Sequence, residues 1–339
     1  MDLAKAFPII CLPFVHCIIE CCTAEQLDYG LPFVFDCFIG GPMSAPMFMF
    51  AMGIGMIYSK KNSSSYMIRR GIMIFIAGYI LNLARYVVPS LTGYAISGDY
   101  GKYIEPITYK LFANDIMQLA GLALILLGLL VRMKVPRWGI MTISTVMSLA
   151  GWAFNDVDMG NKTLNILLGN LIGTSDSTDM LITDFPLLNW FIFPAAGYCF
   201  GHWMIRMKNK KLFYLTVSPP ALIISIVYYV LAIRYSLGMF RDGGENTYYH
   251  IVFYEVVAIV INLFALLGIY YLISKILPKW RLRFFTDVSR KINAIYCIHW
   301  VYLVFATNVI IYLILGTQII PVWQIFVLSA GIFAATYLT

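Results

Sequence analysis

The sequence predicts an all-α, polytopic transmembrane helix bundle of about ten spans with both termini cytoplasmic. Three observations predict it. Of 339 residues, 60% are hydrophobic and 12% charged, with a mean hydropathy of +0.79. A soluble domain is instead about 45–50% apolar and about 25% charged. Apolar runs continue for about 20 residues, the length a spanning helix needs, as around Leu119–Val131 and through Ile251–Leu277. They do not alternate over about 10 residues as barrel strands do. In lipid the backbone must satisfy its own hydrogen bonds, which leaves helices as the spanning elements. A soluble monomer, a disordered chain, a collagen and a disulfide scaffold are all excluded by the same composition.

In chain order the spans are expected near 3–22, 32–58, 71–89, 109–131, 138–155, 186–205, 213–235, 250–274, 290–315 and 319–339. The whole chain, 1–339, is read as one integral-membrane domain with no soluble part and no internal repeat. The first span carries Asp2, Lys5, His16 and Glu20 and no small-residue cleavage site, so it is read as retained rather than as a signal peptide. The second contains Gly40-Gly41-Pro42 and Pro46, with Gly53 and Gly55 further on. These weaken a regular helix and allow either a kinked packing interface or close approach of a ligand. The segment 156–185 is the longest connection. Its Leu164, Leu167, Leu168 and Leu171 fit either a short interfacial helix or ordinary loop packing. Gly197-x-x-x-Gly201 in the sixth span is a close-packing pattern.

The net charge of +7 does not indicate a nucleic-acid partner, because the basic residues sit in short connections. Lys60, Lys61, Arg69 and Arg70 follow span 2. Arg132, Lys134 and Arg137 follow span 4, and Arg206, Lys208, Lys210 and Lys211 follow span 6. Lys275, Lys279, Arg281, Arg283, Arg290 and Lys291 follow span 8. Basic connections face the cytoplasm. The opposite side is polar and partly acidic, with Glu25, Asp28, Asp156, Asp158, Asp176, Asp179 and Glu245. The expected location is the cytoplasmic (inner) membrane. The seven cysteines form no metal spacing and read as small apolar residues; no metal is expected.

Ionisable residues inside spans are costly and mark function. On a helix, Lys5 and His16 lie within about 20° of one meridian and about 17 Å apart along the axis. Asp2 and Glu20 flank that meridian by about 40° on either side. One face of span 1 therefore carries four ionisable groups, with His16 near mid-membrane. Glu20, one turn away, would hold one ring nitrogen of His16 and leave the other as a general base. Asp36 in span 2, Asn82 and Arg85 in span 3, Asp115 and Gln118 in span 4 and His299 in span 9 add polar groups to the apolar interior. Arg85 and Asp115 would either pair as a structural bridge or line one cavity. His202 beside Arg206 fits interfacial solvation. The fingerprints of serine hydrolases, zinc proteases, P-loop ATPases and dinucleotide enzymes are missing.

Asp2-Leu3-Ala4-Lys5-Ala6-Phe7 followed by His16 resembles the first-helix motif of the integral-membrane acyltransferases. These are the acyltransferase-3 family and its relatives around heparan-α-glucosaminide N-acetyltransferase. Their motif is a basic residue, ten intervening residues and a histidine; Lys5 stands where Arg is commoner. Ala45-Pro46-Met47-Phe48-Met49-Phe50-Ala51-Met52-Gly53, Ser65-Tyr66-Met67-Ile68-Arg69-Arg70-Gly71 and Asp115-Ile116-Met117-Gln118 resemble later segments of that group. So do Phe185-Pro186-Leu187-Leu188-Asn189-Trp190 and Ala294-Ile295-Tyr296 with His299. The resemblance implies transfer of an acyl group, acetyl foremost, from cytoplasmic acyl-CoA. The acceptor would be a hydroxyl or amine of a carbohydrate or lipid-linked molecule at the outer face. His16 matches the essential histidine, as base or acyl carrier. Lys5, Arg69 and Arg70 would attract the phosphates of CoA. Asp2, Asp36, Arg85, Asp115, Gln118 and His299 would line the substrate cavity. The expected partners are the acyl donor, the acceptor and membrane lipids, and the sequence is compatible with an oligomer. A rival reading is a proton-coupled transporter or exporter of a small or lipid-linked solute, in which histidine and carboxylates relay protons.

Overall fold

The computed structural model describes residues 2–178, 180–240 and 250–339; Asp179 and Glu245 lie outside them. The chain is an all-α polytopic membrane protein, with no strand among the described residues. Its main helices are α1 (Asp2–Cys21), α2 (Ala45–Tyr58), α3 (Ser64–Asn82), α4 (Val88–Ser97), α5 (Ile116–Arg132), α6 (Arg137–Ala153) and α7 (Lys162–Leu168). Then come α8 (Ile192–Arg206), α9 (Lys210–Arg234), α10 (Phe253–Ile276), α11 (Lys279–Arg290), α12 (Ile292–Val304) and α13 (Val322–Leu338). A helix or continuous helical run falls on each expected span. Six runs are long and apolar enough to cross a bilayer: Asp2–Cys21, Gly30–Tyr58, Ser64–Ser97, Lys210–Phe240, Phe253–Ile276 and Ile292–Leu315. Ile116–Arg132 and Val322–Leu338 are shorter apolar helices.

The chain divides into two compact units. The first comprises 1–45, 80–111 and 272–339; the second comprises 46–79 and 112–271. In the first unit α1 packs against α11, α12 and α13. Two prolines, Pro8 and Pro13, lie inside α1. Each removes one backbone donor, so the carbonyls of Ala4 and Ile9 lose their helical partners. Lipid tolerates such a break only where neighbouring protein surrounds it, and both prolines are buried. At the far end of α1 the Cys21 carbonyl accepts from the Ile320 N–H at 3.2 Å, just before α13.

Three segments of this unit are wound as π-helix: Val34–Gly40, Leu83–Val87 and Phe305–Ile311. The expected weakness of span 2 thus appears as a π-helical stretch and a turn at 41–44 before α2. Gly98 and Gly316 take left-handed conformations (φ +73° and +71°) and terminate α4 and the run that ends at Leu315. Between α4 and the second unit, the connection 98–111 is pinned by Tyr103. Its hydroxyl donates to the Asn308 carbonyl at 2.9 Å.

The second unit packs through small residues. A Cβ at Gly53 would meet the Pro194 carbonyl, and one at Gly197 would meet the Phe50 carbonyl. Gly201 faces Ile54 and Ile57. The Gly197/Gly201 pattern therefore seats α8 on α2 backbone to backbone. Gly71 and Gly121 bring α3 and α5 together in the same way.

Span 4 begins later than its hydropathy implies. The apolar run from Tyr109 is interrupted where Asn114 bridges to Thr183, its N–H donating to the Ile182 carbonyl at 2.9 Å. Helix α5 then opens on Asp115, whose carboxylate accepts from the Ile116 N–H at 2.5 Å. The Gln118 side chain accepts from the Asp115 N–H at 3.3 Å, which completes a capping box. In the long connection, α7 opens on Asn161 and leaves Leu164 and Leu167 exposed.

Candidate active site

The first unit gathers a polar and aromatic cluster around His16. The His16 ring is half-buried; its centroid lies 4.1 Å from that of Trp300 and 5.7 Å from that of His299, stacked on the latter at 22°. Both partners come from α12, and Tyr296 meets the His299 ring edge-on at 5.5 Å. His299 is fully buried. Its Nδ1 lies 3.0 Å from the Ile295 carbonyl, one turn back, and must donate to it. That fixes the tautomer and makes Nε2 an acceptor. Nε2 is buried and has no hydrogen-bond partner among the described residues, and neither has the indole N–H of Trp300. Buried polar atoms are satisfied in the great majority of cases. One acceptor and one donor left over beside a half-buried imidazole suit a ligand that carries both functions.

Arg85 approaches the same indole from the π-helical segment Leu83–Val87. It is 1% exposed, with its guanidinium carbon 4.6 Å from the Trp300 ring and 4.4 Å from that of Tyr86. Nε and one terminal nitrogen donate to the Asn82 Oδ1 at 3.1 and 2.9 Å, and the Asn82 Nδ2 donates to the Leu111 carbonyl at 2.9 Å. Stacking on two rings and a forked bond to one oxygen is what a planar guanidinium does and an ammonium does not.

The remaining expected residues are distributed as follows. Lys5 is half-buried on α1. Asp2, at its start, is exposed and accepts from Thr286 Oγ1 at 3.0 Å and Ser289 Oγ at 3.5 Å, both on the basic helix α11. Glu20, half-buried near the other end of α1, acts electrostatically on Lys102 and Lys110. Asp36 is half-buried in the π-helical segment Val34–Gly40. Arg69 and Arg70 stand at the start of α3, in the second unit. Arg69 lines a shallow depression of about 290 Å³ with Ser65, Arg132 and the apolar Ile68, Ile72 and Met73. Asp115 and Gln118 also belong to the second unit, where they cap α5. The Gln118 amide lies where Gly78 has no side chain.

Trp300 and Tyr86 were not read from the sequence as part of a site. Trp300 carried a signal, since it directly follows His299. His250 was also missed. It is buried in the second unit, with Nδ1 2.6 Å from the Asp156 carboxylate and Nε2 3.1 Å from the Thr183 carbonyl. It ties the long connection to α10 and lies in no recognisable motif.

The chain is an all-α membrane protein whose first unit brings two histidines, an indole and a guanidinium together. Residues 1–240 match the family described as heparan-alpha-glucosaminide N-acetyltransferase, catalytic, and the chain belongs to that family. It is therefore a membrane acetyltransferase, of a family that uses acetyl-CoA as donor. No curated protein and no solved structure matches the chain.

Proposed function

We propose that the chain moves an acetyl group from acetyl-CoA on the cytoplasmic side to an amine or hydroxyl of a carbohydrate or lipid-linked acceptor at the outer face. His16 is the base or the transient acyl carrier. The observation that carries this reading is the packing of His16 against Trp300 and His299, with an unsatisfied acceptor and donor beside it. The family of the chain supports the chemistry.

As base, His16 takes the proton from the acceptor while its nitrogen or oxygen attacks the thioester carbonyl. The carbon–sulfur bond then breaks, and the leaving thiolate takes that proton from the imidazolium. As carrier, His16 itself bonds to the acyl carbon, CoA leaves, and the acceptor displaces the imidazole. Either route develops negative charge on the carbonyl oxygen, and Arg85, stacked on the same indole as His16, is the cation of the cluster to stabilise it. The His299 Nε2 accepts a hydrogen from the acceptor and orients it. Glu20 orients His16 or keeps its charge balanced. Lys5, Arg69 and Arg70 draw the CoA phosphates to the cytoplasmic side. The whole chain, 1–339, acts as one membrane domain in the cytoplasmic membrane.

The test is single-turnover transfer from radiolabelled acetyl-CoA to glucosamine by purified protein in lipid nanodiscs. His16→Ala is expected to lower the rate by about 10²–10⁴-fold, the range of a positioned acid–base group. Transfer at the wild-type rate by this variant removes His16 from the role. Proton-coupled solute uptake without acetyl transfer replaces the reading with a transporter.

A further inference from the structure

The depression at the basic end of α3 and α5 lies wholly within the second unit. Ser63 opens α3: its hydroxyl accepts from the Tyr66 N–H at 3.3 Å and its carbonyl from the Met67 N–H at 3.0 Å. The two helices run antiparallel, since Gly78 meets Gln118, Gly71 meets Gly121 and Gly128 meets Ser64 and Ile68. A Cβ at Gly128 would fall 2.8 Å from the Ile68 Cγ1 and 3.0 Å from the Ser64 carbonyl oxygen. Helix α5 therefore touches the opening turns of α3 there. Arg132, one turn beyond Gly128 and on the same side of the helix, comes up beside Ser65 and Arg69. These three polar residues rim the depression, and Ile68, Ile72 and Met73 complete its lining.

The chain supplies no counter-charge to this rim. Both guanidiniums are exposed, and neither has an ion pair among the described residues. Segments 37–98 and 116–155 contain no aspartate or glutamate, so neither helix and neither adjoining connection can neutralise them. Two cations that share one concavity attract an anion from outside. Apolar surface leads away from the same place. Ile72, Met73 and Ile76 are exposed and follow Arg69 at helical spacing. Ile76 lies about 10 Å further along the axis, toward the interior of the apolar run Ser64–Ser97, within the depth of about 15 Å that one leaflet's hydrocarbon provides.

We propose that this depression binds an anionic glycerophospholipid, with its phosphate between Arg69 and Arg132 and one acyl chain along Ile72, Met73 and Ile76. Guanidinium forks match phosphate oxygens in geometry and charge, and the Ser65 hydroxyl donates to a further oxygen. Basic pockets between membrane helices take anionic headgroups in this way. Size favours a headgroup over a nucleotide. At about 290 Å³ the space falls just short of the about 300–1,000 Å³ of pockets that engulf a whole small molecule. A soluble phosphate would leave the apolar track uncovered. The long-range pull on CoA needs only the charge of Arg69 and makes no use of Arg132 or of the depression.

The test is native mass spectrometry of the full chain in neutral detergent. It is titrated with palmitoyl-oleoyl phosphatidylglycerol or phosphatidylcholine, with glycerol 3-phosphate and CoA as competitors. Wild type is expected to hold phosphatidylglycerol about tenfold or more tighter than phosphatidylcholine, the worth of one charge-assisted bond. Arg69→Gln with Arg132→Gln is expected to bring the two lipids level. Lys60→Gln with Lys61→Gln removes the same charge outside the depression and should keep the preference. All four side chains are exposed, so both double variants should melt within a few degrees of wild type. Ile76→Asn should weaken both lipids and leave their ratio unchanged. Equal binding of the two lipids by wild type, or a preference that survives in the arginine variant, overturns the proposal. An equal loss in the lysine variant also overturns it, in favour of a diffuse positive surface. Displacement of phosphatidylglycerol by matching concentrations of glycerol 3-phosphate or of CoA overturns the assignment to lipid. None of these readouts depends on acetyl transfer, so the site and the acyl-transfer reading fail separately.

Discussion

The two compact units solve the problem of living in lipid in opposite ways. The second is built from regular helices drawn together by glycine: Gly53 and Gly197 place α2 and α8 backbone against backbone, and Gly71 and Gly121 do the same for α3 and α5. Some of its buried polar groups serve the fold, as in the Asp115–Gln118 capping box and the Asp156–His250–Thr183 tie. The first unit has two prolines inside α1, three π-helical segments, a buried arginine and two unsatisfied ring atoms around His16. Irregular helix is frequent at functional sites because it re-aims side chains that a regular turn would bury elsewhere. Both units hold prolines inside a helix, Pro8 and Pro13 in the first and Pro219 and Pro220 in the second. Both also bury polar atoms without a hydrogen bond among the described residues, such as the Ser148 and Ser225 hydroxyls of the second. What sets the first apart is its π-helical winding.

That contrast is open to direct attack. The largest effect is expected from Gly197→Leu. Its side chain has a backbone carbonyl in the way, so the loss should reach or exceed the upper end of the about 1–3 kcal/mol usual for overpacking. A melting temperature within a few degrees of wild type would show that backbone contact is not what holds the second unit together. His299→Leu should behave in the opposite sense. It removes a buried acceptor without a partner, so stability should hold or rise by about 1 kcal/mol. Acetyl transfer should meanwhile fall about tenfold, the worth of one hydrogen bond lost at the transition state. A drop in both would make His299 a packing residue like those of the other unit. The smallest effect is expected from Asp115→Ala, at about 1 kcal/mol for a lost N-cap. Asp115→Asn should restore most of it, since an amide oxygen caps as well. Failure of that rescue would point to a charge requirement at Asp115 beyond capping.

Much of the fold was readable because hydropathy in lipid is a one-dimensional signal: the apolar stretches carry helices or helical runs, six of them long enough to cross a bilayer among the described residues. Where it misled, the cause was local. Phe112 and Ala113 are as apolar as a span, yet the chain leaves the helix there and Asn114 bridges to Thr183, and only the cap geometry reveals that α5 opens on Asp115. The alignment of Lys5, His16 and Glu20 on α1 followed from helical spacing alone. The rings that pack on His16 did not, since Trp300 and His299 are distant in sequence and no pattern on α1 names them. His250 escaped notice for a similar reason, its partner Asp156 lying 94 positions away.

The π-helical turn at Leu83–Val87 has a consequence for how this architecture tolerates change. Such a turn holds one residue more than an α-helical turn, so trimming a single residue there would let the run from Ser64 to Ser97 rewind as one uninterrupted coil. The helices on either side would keep their phase, since the π turn is what absorbs the extra residue, but the side chains inside the turn would be re-aimed. Arg85 would part from the indole while the hydropathy profile stayed almost the same. Length variation of one amino acid at this point is therefore a sharper marker of altered chemistry among natural variants than any loss of greasiness.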